Sequence, residues 1–62
     1  MRKYKRFFEF TETREEAEHI ADNYNKSASP YQRKNYPAYI TPYNPKPTEN
    51  TKVRFIVWYS YK

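Results

Sequence analysis

Two residues in the chain have the types and spacing for proton transfer. Glu15 and His19 lie four positions apart in an acidic stretch, so on a helix they share a face and the carboxylate could orient the imidazole. General acid–base work also needs a reacting partner, and the chain supplies none. It has no Cys, a single His and no Gly, which excludes thiolate chemistry, a Cys- or His-based zinc set and a glycine-rich phosphate loop. Glu12, Glu16, Glu18 and Asp22 around the pair read more simply as the solvated side of an amphipathic helix. No catalytic residue, metal ligand or cofactor is assigned, and an enzyme is not expected. Asn25-Lys26-Ser27 matches the glycosylation sequon, but the basic start Met1–Arg6 leads into a charged strand rather than the apolar stretch of a signal peptide. A cytoplasmic location is expected, with the sequon unused. Pro42-Tyr43-Asn44-Pro45 fits P-x-x-P, yet prolines at a strand end and in a hairpin loop account for it without an SH3-like partner.

A different chemistry suits the aromatic residues and the cations. Phe, Tyr and Trp make up 21% of the chain, and twelve Lys and Arg against seven Asp and Glu leave a net charge of +5. The charge is segregated: residues 12–22 hold five of the acids and one base, so the remaining chain carries eleven bases against two acids. Such asymmetry creates a positive field suited to a polyanion or an acidic partner. Cations flanking exposed rings form a platform on which bases stack while phosphates are neutralised. The candidate binding residues are Lys3, Lys5, Phe7, Tyr39, Arg54, Ile56 and Trp58. Nucleic acid is the partner class they suit first. The alternative is a protein, either a host factor or a second copy, because Trp, Tyr and Arg also anchor protein interfaces. No small-molecule substrate is implied, and no apolar run approaches the length of a membrane span.

These residues need a sheet to bring them together. At 62 residues the chain is a single domain, 1–62, in the size range where burial is limited and stability marginal. Lys52–Lys62 (KVRFIVWYSYK) is dense in β-branched and aromatic residues, lacks Pro and is apolar at both parities, so it predicts a central strand. Arg2–Phe10 predicts a first strand. Thr13 with Glu16 three residues on forms a capping box that starts a helix at Arg14, with Ala17, Ile20, Ala21 and Tyr24 on one face and an end near Asn25. Ser29-Pro30-Tyr31-Gln32 predicts a second, short helical segment over 30–35, stopped because Tyr36 precedes Pro37. Tyr36–Tyr43 predicts a strand whose two prolines confine it to an edge. The expected class is therefore α+β, in the order β-α-(short helix)-β-β. One main helix (about 14–25) packs on a three-stranded antiparallel sheet ordered 1-3-2. The helix is expected over Tyr4, Phe8, Phe10, Ile40, Val53, Phe55 and Val57, leaving Lys3, Lys5, Phe7, Arg54, Ile56 and Trp58, with Tyr39, on the open face.

In composition the chain resembles small uncharacterised phage or prophage proteins of low-GC Gram-positive bacteria. The features are its richness in Lys, Asn, Tyr, Ile and Phe, the lack of Gly and the small size, and they sit mainly in KYKRFFEFTETREEAEHIADNYN and the closing FIVWYSY. The resemblance carries no site residue. It implies an accessory role in a phage or mobile element, handling nucleic acid or engaging a host protein.

Overall fold

The computed structural model describes residues 4–61. The chain forms β1 (Lys5–Thr11), α1 (Arg14–Ser27), α2 (Pro30–Asn35), β2 (Tyr39–Pro42) and β3 (Phe55–Tyr61). The three strands make one antiparallel sheet in the order β1-β3-β2, so the architecture is α+β with the aromatic C-terminal strand in the middle, as its two apolar parities require. β2 is shorter than the sequence predicts. Tyr36 is held back as the cap of α2, its N–H bonded to the Gln32 carbonyl at 2.8 Å; at the other end the strand closes at Pro42, with one further bond in the same register from the Tyr43 N–H to the Arg54 carbonyl at 2.8 Å.

Helix α1 begins where its cap places it: the Thr13 hydroxyl accepts from the Glu16 N–H at 3.2 Å. Only this half of the expected capping box forms; a bond from the Glu16 side chain back to Thr13 is absent among the described residues. The helix runs two residues past Asn25 because its last carbonyls find partners. Ser27 Oγ donates to the carbonyls of Asn23 and Tyr24, and the Arg33 guanidinium donates to those of Asn25 and Ala28. In α2 both halves of the Ser29–Gln32 capping box are present.

The helix lies over β3. Ala17, Tyr24 and Val57 are fully or almost fully buried, and the Tyr24 ring meets those of Tyr59 and Tyr61. The side chain of Val57 alone contributes about 1.5–3 kcal/mol by its burial. In the ladder Phe7 stands opposite Tyr59, Glu9 opposite Val57 and Thr11 opposite Phe55, with Ile40 opposite Val57 on the other side. Directly paired residues share a face, so the helix side of the sheet carries Lys5, Phe7, Glu9, Thr11, Ile40, Phe55, Val57, Tyr59 and Tyr61.

This corrects the expected face of β1. Phe8 and Phe10 were expected under the helix and Lys5 and Phe7 on the open face; the register exchanges the two sets. The physical reason is the helix's footprint. A helix about 10 Å across covers a central strand and only part of each neighbour spaced about 4.8 Å away, so an edge strand gains little by turning its more apolar parity inward. Every side chain from Lys5 to Phe10 is in fact exposed, and only Thr11, at the strand's end beside the start of α1, is buried.

Candidate binding face

The open side of the sheet is built by the other parity: Arg6, Phe8 and Phe10 from β1, Ile56, Trp58 and Ser60 from β3, Tyr39 and Thr41 from β2. Trp58 is its centre. The indole N–H donates to Thr41 Oγ1 at 2.9 Å, which fixes the ring and satisfies its one polar atom. Phe8 lies against one side of it with centroids 5.4 Å apart, and Tyr39 stacks on the other side at 6.0 Å and 16°. Phe8 meets Phe10 edge-on at 5.3 Å, and Phe10 meets Tyr43 at 5.5 Å. The result is a row of rings crossing all three strands, in which Phe8 is 52% exposed, Phe10 51% and Tyr39 44%.

Arg6 closes one end of the row. Its partner across the ladder is Ser60, small enough for the guanidinium to reach over it to β2. There it sits 5.4 Å from the Tyr39 ring centroid and donates to the Tyr39 hydroxyl at 2.9 Å, a cation–π contact with a hydrogen bond added. At the other end the Tyr43 hydroxyl donates to Glu49 Oε2 at 2.7 Å. That bond, followed by slight desolvation and the nearby negative charge, raises the Tyr43 pKa above its ordinary value. The Lys46 N–H first, and the Tyr43 hydroxyl second, lower that of Glu49.

Of the residues expected to form a site, Tyr39, Ile56 and Trp58 share this face. Lys5 and Phe7 do not: they lie on the helix side, where Phe7 stacks on Tyr59 at 6.0 Å. Arg54 precedes β3 with its guanidinium turned onto the carbonyls of Thr51 and Val53. Lys3 lies outside the described residues. Sequence reasoning missed Arg6, Phe8, Phe10, Thr41 and Tyr43. The spacing of Arg6, Phe8 and Phe10 at alternate positions marks them as one face of a strand, but nothing in the spacing says which face.

Other motifs gain no chemistry from the fold. Glu15 and His19 are both exposed beside a shallow hollow, with no hydrogen bond between them. The sequon Asn25-Lys26-Ser27 forms the last turn of α1, and Pro42 ends β2. Among the described residues no three His, Asp or Glu gather as a metal site, and no helix is long and apolar enough to cross a membrane.

Fold and face together define a small α+β domain with a helix on one side of its sheet and an unshielded aromatic surface on the other. No protein-family model, curated protein or solved structure matches the chain.

Proposed function

We propose that the chain binds single-stranded nucleic acid through the open face of its sheet. The observation that carries this reading is the pair of half-exposed rings, Phe8 and Phe10, beside an indole held in place by Thr41. Such rings offer π-faces to successive bases, each stack contributing about 1–3 kcal/mol. Electrostatics supports it too. None of the strand positions on this face is acidic; Glu49 stands at the Tyr43 end of the row, away from Arg6, and Glu15, Glu16, Glu18 and Asp22 belong to α1 on the opposite side. Arg6 brings a guanidinium to the row of rings. The resemblance to small phage and prophage proteins supplies the setting proposed, an accessory role in handling nucleic acid.

Binding of a labelled oligonucleotide across a salt series tests the proposal. Replacing Phe8 and Phe10 together by Ala should weaken binding by about tenfold or more with the circular dichroism of the fold unchanged. Arg6→Ala should shallow the salt slope by about one unit. No binding at low salt, or a double variant that binds like the parent chain, would refute it.

A second reading, a protein partner on the same face, is favoured by one observation. The Trp58 indole lies between Phe8 and Tyr39, themselves 52% and 44% exposed, and Trp and Tyr are favoured anchors of protein interfaces. Salt separates the two readings: a protein interface anchored by Trp58 and Tyr39 keeps its affinity where phosphate contacts lose theirs.

A further inference from the structure

The two edges of the sheet are finished differently. β2 is four residues long and ends on Pro42, two of the usual ways of blunting an edge. β1 is seven residues long, contains no Pro, carries three Phe and pairs only with β3. Its outer backbone groups can be identified. The Thr11 carbonyl accepts from the Arg54 N–H on the β3 side, and the Ser60 carbonyl turns away from β1 to accept from Gln32 Nε2. By the alternation of an antiparallel ladder, the odd residues of β1 bond to β3, and the amides and carbonyls of Arg6, Phe8 and Phe10 point outward.

We propose that β1 pairs antiparallel with β1 of a second copy, joining two sheets into one of six strands. The two-fold axis stands perpendicular to the sheet at Phe7. Both copies then keep their helices on one side, and outward-facing residues meet outward-facing residues. Side-chain chemistry selects this centre over its neighbours. Centred on Phe7, Lys5 faces Glu9 of the second copy, twice by symmetry, Arg6 faces Phe8, and Phe7 faces Phe7 in a close, non-hydrogen-bonded pair. Centred on Phe8, no opposite charges meet. Centred on Arg6 or Glu9, like charges stand directly opposite each other, which is unfavourable. Lys5 and Glu9 are available for the role: neither makes an ion pair among the described residues. The Tyr59 hydroxyl donates to Glu9 Oε1 at 3.1 Å, orienting the carboxylate while leaving Oε2 for the incoming ammonium.

Such a dimer sets the two open aromatic faces side by side on one surface, but its existence rests on the edge and not on what the face binds. Sedimentation equilibrium of the full chain over a concentration series tests it. The parent chain should form a reversible dimer. Lys5→Glu alone and Glu9→Lys alone should each weaken dimerisation about tenfold or more, because two attractive pairs become two repulsive ones. The double variant Lys5→Glu/Glu9→Lys should restore it. Both side chains are exposed, so circular dichroism should show all three variants folded. Amide exchange at Arg6 and Phe8 should slow on going from dilute to concentrated protein. A monomer at every concentration, a dimer indifferent to the single substitutions, or a double variant no tighter than either single one would overturn the proposal. Oligonucleotide binding by a monomeric charge variant reads the face separately from the edge.

Discussion

Gln32 carries more of the fold than a residue of a six-residue helix usually does. β2 begins at Tyr39, opposite Trp58, so Tyr59, Ser60 and Tyr61 have no strand on that side of β3. Gln32 fills the gap with its side chain, Nε2 donating to the Ser60 carbonyl at 2.7 Å, where Gln32 is 9% and Ser60 2% exposed. Gln32→Met keeps the length but removes both the donor to Ser60 and the acceptor of the Ser29 N–H; the buried carbonyl left unpaired costs about 1–3 kcal/mol by itself. A domain of 62 residues has a total stability of roughly 3–9 kcal/mol, so the change removes a large fraction of it. Urea unfolding followed by Trp58 fluorescence and by circular dichroism should show a lower midpoint with an unchanged slope. Gln32→Glu makes the test sharper. Its carboxylate faces the carbonyl without a proton to donate, so at neutral pH the loss should be at least as large. Folding favours the protonated form, which can donate, so the folded pKa is raised and stability returns as pH falls through the carboxylate range. A Gln32→Met variant within about 0.5 kcal/mol of the parent chain, below the usual cost of an orphaned acceptor, would refute the assignment of α2 as a substitute for the missing strand.

Two further predictions concern the helix side of the sheet. The Tyr59 pKa is raised above 10.0, by burial first and by its bond to Glu9 second. The folded state therefore holds the proton more tightly than the unfolded chain, and the stabilisation is complete below 10.0 and lost as pH climbs through the folded value; Tyr59→Phe should flatten the alkaline fall in stability, measured by urea unfolding at increasing pH. Thr13→Ala removes the hydroxyl that accepts the Glu16 N–H and should cost about 1 kcal/mol; an unchanged midpoint would show the helix start to be held by something else.

The backbone plan could be read from the sequence because several independent signals agreed on it. Pro37 and Pro42 placed the second strand at an edge, Val53–Tyr61 was apolar on both parities, and Thr13 and Ser29 marked two helix starts. The parity of β1 could not be read in the same way. Register between β1 and β3 depends on a long-range pairing, and one step exchanges every side chain between faces. In KRFFEF both parities contain Phe and both contain a cation, so composition does not choose. What decides is the turn into α1, which buries Thr11 beside the helix and with it commits Glu9, Phe7 and Lys5 to the same side. The candidate site inherited that ambiguity: its β3 and β2 members were found, and its β1 members were exchanged for their neighbours.

The exchange changes the physical character of the open face. With Lys5 and Phe7 it would have been a mixed basic and aromatic surface, whose affinity for a polyanion would come mainly from charge. With Arg6, Phe8 and Phe10 it becomes a continuous row of rings from Tyr39 to Tyr43 with a guanidinium at one end. Arg6 is also engaged with the Tyr39 hydroxyl, so a phosphate must compete with that contact or share the guanidinium with it. Stacking should therefore dominate affinity and charge should tune it. Removing Phe8 or Phe10 should cost more binding than removing Arg6, with a shallow salt slope for so basic a chain.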